Sequence, residues 1–552
     1  MPFMNRIILR YSFLILFIIL LIGLITTNSL KTTANSLKTT ANLLKTTANL
    51  ENLEDLTEQE LKMSSLNNAV VIGSGLAGLS ATIELLSKGL FVTLLEMDSK
   101  FGGNSIKASS GINGVPTKFQ PPLEKDTQEF FYDDTIKSSG VSFKSSSDEI
   151  KELRKILIKT LTDDSATSIN WLTDKIGVDL SVVAQLGGHS KARTHRGSGK
   201  IPPGASIIKS LLNYIDLNFK NSIDLKLNSK LTKIIRDDIS KRVKGIEFKD
   251  LETNDSHVLN SNIVIMTTGG FAGDSKNLLA KFRPDLLNYP STNSPTSNSI
   301  ELLTDLGADL IDMDQVQIHP TGFIDPNDEE SLYKFLAAEA LRGEGGILVN
   351  KSGDRFVNEM LPRDELTEKI IELSSKLNED KINRINQWEN YLILDESSAN
   401  RIKSNIDFYC FKKLMQKVKI SELSQLLPNI KSTLLDYSSI VNDNQKNDEL
   451  GRSNFGSWSL SPESINNDET VLYIGRTTPV THFTMGGAKI NENGQILNKD
   501  LSPISGIYGA GEITGGVHGS NRVGGSSLLE CVVFGRKSAQ HAFNYLQESS
   551  KL

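Results

Sequence analysis

The stretch Asn68-Ala-Val-Val-Ile-Gly73-Ser-Gly75-Leu-Ala-Gly78-Leu-Ser-Ala-Thr-Ile-Glu-Leu-Leu constrains the fold more than any other part of this chain. It reads as an apolar strand, a glycine turn and a helix. A second strand, Phe91-Val-Thr-Leu-Leu-Glu96, ends in a carboxylate 18 positions after Gly78. Gly73 makes the tight turn, Gly75 lets backbone approach a pyrophosphate, and Gly78 lets helix and strand pack closely. The helix N-terminus favours the negative charge of the pyrophosphate, and Glu96 is placed to accept hydrogen bonds from a ribose. The spacing predicts a dinucleotide-binding α/β unit.

Other segments continue that reading. Lys100-Phe-Gly-Gly-Asn104-Ser105-Ile-Lys-Ala-Ser-Ser110-Gly111-Ile112-Asn113 follows the second strand and suits a backbone lying along a flavin. Ile263-Val-Ile-Met-Thr-Thr268-Gly269-Gly270 and Gly506-Ile-Tyr-Gly509-Ala-Gly511-Glu512 are further buried strands running into glycines. Ligand sites at the carboxyl ends of strands fit one extended cofactor.

Composition narrows the chemistry. Among 552 residues there are two cysteines, Cys410 and Cys531, and neither forms a Cys-x-x-Cys motif. That excludes a disulfide scaffold, a c-type haem and a cysteine-ligated iron–sulfur cluster within the chain. No metal site is expected. With 60 Lys+Arg against 66 Asp+Glu, a net charge of −6 gives no support to nucleic-acid binding.

Several separated motifs stand in one order: Gly73-Ser-Gly-Leu-Ala-Gly78, Gln317-Ile-His319-Pro-Thr, Ala338-Glu339-Ala-Leu-Arg342-Gly-Glu-Gly-Gly, and Arg355-Phe-Val-Asn-Glu-Met-Leu-Pro-Arg363-Asp. His482-Phe-Thr484-Met-Gly-Gly and Gly511-Glu-Ile-Thr-Gly-Gly-Val-His-Gly-Ser-Asn-Arg522-Val-Gly-Gly525-Ser-Ser527-Leu528 complete the series. On these motifs the chain resembles the soluble, FAD-dependent fumarate reductases of the succinate dehydrogenase/fumarate reductase flavoprotein superfamily, most of all the stand-alone fungal type.

The resemblance implies an α/β, Rossmann-like FAD-binding domain (67–315 and 482–552) interrupted by an inserted α+β capping domain (316–481). It implies a fumarate-to-succinate reaction by hydride transfer from flavin N5. His319, His482 and Arg522 would clamp the substrate carboxylates, with Thr484 and Gly525 helping. Arg363 would be the proton donor, fed by Glu339 and Arg342. Ser74, Ala77, Met97 and the glycine-rich segments named above would hold FAD. The respiratory complexes tether the flavin to a histidine in the stretch matching 104–108; Asn104-Ser-Ile-Lys-Ala has none, so non-covalent FAD is expected. Two departures stand out: Phe483 replaces the second histidine of many bacterial relatives, and Ala338 replaces a threonine.

With no internal wire, electrons must come from outside, from FMNH2, FADH2 or another donor. Urocanate or methacrylate as substrate, and a membrane-tethered flavoprotein without turnover, are the alternative readings. The resemblance suggests a monomer.

Residues 1–27 carry a basic flank and an apolar run, read as a signal sequence or membrane anchor. Residues 28–66 hold a repeated Leu-Lys-Thr-Thr-Ala-Asn spacer. The expected location is the endoplasmic reticulum or another endomembrane. A start at Met63 or the terminal Ser550-Lys551-Leu552 would instead direct the chain to cytosol or peroxisome, with the mitochondrion a further alternative. Asn254-Asp-Ser and Asn350-Lys-Ser are sequons open to glycosylation in a lumenal protein.

Overall fold

A computed structural model describes residues 68–549 except 121–125, 187, 200, 296–297, 378–383 and 444–446. The leader, the spacer, the Met63 start and the C-terminal tripeptide lie outside the described residues. Among those described, no helix is long and apolar enough to cross a membrane.

Short runs of β-branched and aliphatic residues build a six-stranded sheet in the order 495–497, 503–509, 264–266, 68–72, 91–95, 223–226. Its inner strands are parallel, with Val70 level with both Val264 and Thr93. Only the edge strand Gln495–Leu497 is antiparallel. Parallel strands covered on both faces need apolar side chains throughout, and Ala69, Val70, Val71, Val264 and Ile265 are fully buried.

The helix Leu76–Ser87 packs between this sheet and the C-terminal helix Ser526–Ser549. A Cβ on Gly535 would come 2.6 Å from the Ala77 carbonyl oxygen, so the two helices approach at a glycine. This is the expected α/β class.

A second, antiparallel sheet runs 335–336, 316–323, 471–484, 388–394, 347–349 and has its own apolar clusters. Around that sheet lie the helix Arg363–Leu373 and four helices between Glu396 and Asn442, with strand Trp388–Leu394 running between them in the chain. Six of that strand's seven residues are buried. Its sequence, Trp-Glu-Asn-Tyr-Leu-Ile-Leu, sets two buried polar residues beside five apolar ones and shows no period-2 alternation that would mark it as a strand.

The long strand Val471–Thr484 pairs with Val316–Phe323, with His319 opposite Val480 and Gln317 opposite Phe483. Register shifts flank His319 on both sides. That pairing brings His319 and His482 together across the two strands.

Candidate active site

Gly73 sits at φ +100°, and a Cβ there would meet the Thr267 carbonyl oxygen at 2.4 Å. At Gly78 a Cβ would lie 1.9 Å from the Gly73 carbonyl oxygen. These two positions are closed to any side chain. Gly75 and Gly269 differ: a Cβ on Gly75 meets only Ser105 Oγ at 3.5 Å, and one on Gly269 meets nothing within 4 Å. Both line a cavity of about 820 Å3. Side chains there would fill a cradle that backbone leaves open.

At one end of the cavity Glu96 accepts hydrogen bonds from Ser74 N (2.9 Å), Ser74 Oγ (2.5 Å) and Asp98 N (2.9 Å). A carboxylate has about four lone-pair sites, so it keeps capacity for a ribose hydroxyl. Ser105 Oγ accepts from the first N–H of the helix, Leu76 N, at 3.1 Å, and Gly75 adds no side-chain acceptor for the next ones, at an end where an anion is favoured. Asn104, Ser105, Ser110 and Gly111 continue along the wall, with Thr268, Gly269, Glu512, Ser527 and Leu528 opposite. Thr268 Oγ1 is buried without a partner, a hydroxyl awaiting one. Cradle, anion end and orphaned hydroxyl fit an FAD.

Not every expected contact faces the cavity. Ile112 is a core residue. Asn113 instead holds the Gly524–Ser526 turn, donating to Gly524 O (2.8 Å) and Ser526 Oγ (2.9 Å). Gly270 abuts Thr484 and Glu512. Thr484 also stands behind the wall, donating through N (2.9 Å) and Oγ1 (3.3 Å) to Glu512 Oε1.

Burial raises the Glu512 carboxyl to about 7, although the Thr484 N–H opposes it. A raised acid stabilises the fold fully only below its unfolded value and loses that contribution as pH rises through the folded one. FAD-free protein should therefore lose roughly 3 kcal/mol between pH 4.5 and pH 7 from this group. Urea unfolding across that range should show the slope, and Glu512→Gln should remove it.

The other end is rich in cations. His319 and His482 lie with ring centroids 5.5 Å apart at 90°. His319 Nδ1 lies 2.9 Å from the Thr321 carbonyl oxygen and 3.3 Å from Thr321 N, so the Thr321 backbone holds the ring through Nδ1. Burial, then the nearby Arg363 and Arg342, hold His319 well below its ordinary value. Burial, His319, Arg363 and Arg522 do the same for His482. Both rings are neutral at pH 7.

Arg522 Cζ stacks 4.3 Å from the Phe483 ring centroid. The departure at 483 thus gives the buried guanidinium an aromatic face. Burial lowers Arg522 to about 10.

Gln317, absent from the expected site set, joins the two arginines. Its Oε1 accepts from Arg522 Nη2 at 2.9 Å and from Arg363 Nη1 at 3.4 Å. The signal was available: residues 317 and 319 share one face of a strand.

Arg363 opens the helix Arg363–Leu373 and donates through Nε (3.1 Å) and Nη2 (2.7 Å) to Glu339 Oε2. Burial pushes the Glu339 carboxyl up, but Arg363 and Arg342 outweigh it and hold it at about 2. Arg342 is not hydrogen-bonded to Glu339. Its Nη1 donates to Glu359 O (2.5 Å), and its Nε and Nη2 are buried without partners. The expected Arg342–Glu339–Arg363 chain is joined at Arg363, whereas Arg342 acts on Glu339 only through its field.

The chain matches the FAD binding domain family over residues 68–528. It is 45% identical over 499 residues to Fumarate reductase 1 of Saccharomyces cerevisiae, covering 87% of this chain and 99% of that protein. It is 38% identical over 493 residues to the fumarate reductase of Schizosaccharomyces pombe, covering 87% and 90%. Among solved structures it is similar to the open conformation of a flavocytochrome c3 fumarate reductase, at TM-score 0.69 and 26% identity, covering 89% of this chain and 81% of that one.

Proposed function

Since the chain belongs to the FAD-dependent fumarate reductase family, we propose that it reduces fumarate to succinate with electrons from an external donor such as FMNH2 or FADH2. The observation that carries this reading is the pair of guanidiniums, Arg363 and Arg522, converging on the neutral Gln317 oxygen beside two neutral imidazoles. The Glu339 carboxylate is engaged by Arg363, which leaves Arg522 and the neutral donors to take a small dicarboxylate.

FAD supplies the hydride when bound and reduced. Arg522 binds one carboxylate through its planar fork, a match lysine could not reproduce. His319 and His482 hold the other carboxylate as hydrogen-bond donors, and a bound dianion offsets the burial and the neighbouring cations that keep them neutral. These donors are fixed before reaction and stabilise charge as it develops. Arg363 delivers the proton to the second alkene carbon; the Glu339 carboxylate orients it and passes back to it a proton taken up from solvent. Residues 316–481 act as a capping domain, and its closure brings Arg363 over the substrate while excluding water. Arg342 biases Glu339 towards its ionised form.

The deciding experiment is fumarate-dependent oxidation of reduced methyl viologen by the FAD-loaded enzyme, with urocanate and methacrylate as comparisons. Preferential turnover of fumarate is expected. Preference for either other acid would overturn the substrate assignment, and no turnover of any would leave the tethered-flavoprotein reading.

FAD is bound non-covalently. Acid precipitation should leave a colourless pellet and a yellow supernatant; a yellow pellet would refute this. The protein acts as a monomer. Its N-terminal apolar segment directs it to an endomembrane, so fluorescent fusions starting at Met1 and Met63 should localise differently.

A further inference from the structure

We propose that Tyr333, Phe335 and Phe408, with Lys107 and Lys412, form the docking site for a reduced flavin mononucleotide that feeds electrons to the bound FAD. The inference rests on the reading above that the donor is external, and it names where that donor sits.

The three rings form a row. Tyr333 and Phe335 have centroids 5.5 Å apart at 76°, and Phe335 and Phe408 6.3 Å apart at 66°. All three line the same cavity as the glycine cradle. Core packing accounts for Phe335 in part, but Tyr333 and Phe408 belong to none of the apolar clusters. Their neighbour Tyr409 turns inward, only 5% exposed, and donates its hydroxyl to Leu336 O at 3.0 Å, whereas Phe408 is 45% exposed. An exposed aromatic at a cavity mouth offers a face on which a planar ring stacks.

One cation stands at the Tyr333 end of the row and a second over its middle ring. Lys107 Nζ lies 5.0 Å from the Tyr333 centroid, held by Asn104 Oδ1 (3.1 Å) and Thr292 O (3.3 Å). Lys412 Nζ lies 5.6 Å from the Phe335 centroid. Neither makes an ion pair among the described residues. The carboxylate in this region, Asp407, is taken by Lys403 at 3.0 Å. A planar aromatic that carries a phosphate satisfies both features at once: rings for its ring system, ammonium groups for its anion.

The position also suits electron delivery. Lys107 belongs to the stretch 104–108, whose counterpart in the respiratory complexes is joined to the flavin. The row therefore begins beside the bound FAD and leads outward. In the transfer, FMNH2 gives two electrons and two protons and becomes FMN, while FAD takes both and becomes FADH2. No bond forms between the two molecules.

The test titrates FAD-loaded enzyme with oxidised FMN and with riboflavin, following quenching of the added flavin's fluorescence, and compares rates driven by FMNH2 and by reduced methyl viologen. Phe408→Ala should weaken FMN binding about tenfold and raise the KM for FMNH2 alike, leaving the viologen-driven rate unchanged. Lys412→Glu should weaken binding of FMN but not of riboflavin, which has no phosphate. Should Phe408→Ala fold poorly, Phe408→Leu keeps the apolar volume and loses the ring face.

If both variants bind and use FMN as the wild type does, the docking site is overturned while the external-flavin reading stands. Wild-type enzyme that turns over with viologen but neither binds nor uses FMN overturns both, and points to a protein donor. If fumarate is not reduced at all, the substrate reading falls, and loss of FMN binding in Phe408→Ala still decides the site.

Discussion

Arg363→Gln lowers fumarate reduction by ~10²–10⁴-fold while the protein keeps its FAD and its fold. The side chain spans both halves of the proposed chemistry. It is tied to Glu339 Oε2 by two hydrogen bonds, at 3.1 and 2.7 Å, and shares the Gln317 oxygen with Arg522. Glutamine keeps polarity and most of the length, but has no acidic cation from which to deliver a proton. The loss should appear in kcat, with the KM for fumarate changed less, because Arg522 and the two histidines still hold the substrate. Visible absorbance of the purified variant checks FAD retention. Full activity in this variant would remove Arg363 as the acid and leave a water or a histidine in that role.

The second large effect is on stability. Glu359→Gln should destabilise the protein by about 3–5 kcal/mol, the cost of leaving buried cations without their counter-ion. Glu359 is fully buried, and its carboxylate accepts from Arg355 Nε (2.9 Å), Arg355 Nη2 (2.9 Å), Arg452 Nη1 (2.9 Å) and Leu348 N (3.1 Å). Asp448 still pairs with Arg355 at 2.7 Å, so that arginine is partly compensated. Arg452 is not: its side chain is fully buried, and its remaining hydrogen bonds go to carbonyl oxygens of Asn454, Gly346 and Arg342. Denaturant unfolding of wild type and variant measures the difference. The consequence extends to the site, since Arg452 donates to Arg342 O and Arg342 Nη1 donates to Glu359 O. A difference below about 1 kcal/mol would mean that the amide replaces the carboxylate fully.

The nucleotide end of the site was legible because its parts interact locally. Gly73, Gly75, Gly78 and Glu96 fall within one strand–helix–strand unit, where spacing alone fixes which backbone meets which. The close contacts at Gly73 and Gly78 are the direct expression of that spacing. The same holds for the anion end of the helix, which follows from its first turn.

The cation-rich end was legible only as a set of residue types. His319, His482, Arg363 and Arg522 all line one cavity. Their orientations depended on partners far away in the chain. Thr484 carries a hydroxyl suited to substrate, yet Glu512, 28 positions on, takes it. Arg342 sits three residues from Glu339, yet the fold turns it to the Glu359 carbonyl. Gln317 gains its bridging place from Arg363 and Arg522, 46 and 205 positions away.

By itself, then, the sequence determined the dinucleotide unit, the α/β class and the chemical inventory of the site, because periodicity and glycine spacing act over a few residues. The tertiary structure alone decided which polar groups face the cavity. Strands 316–323 and 471–484 set that choice through their register, with shifts on both sides of His319. A one-residue slip there would turn every side chain to the opposite face, and no local pattern records where such shifts fall.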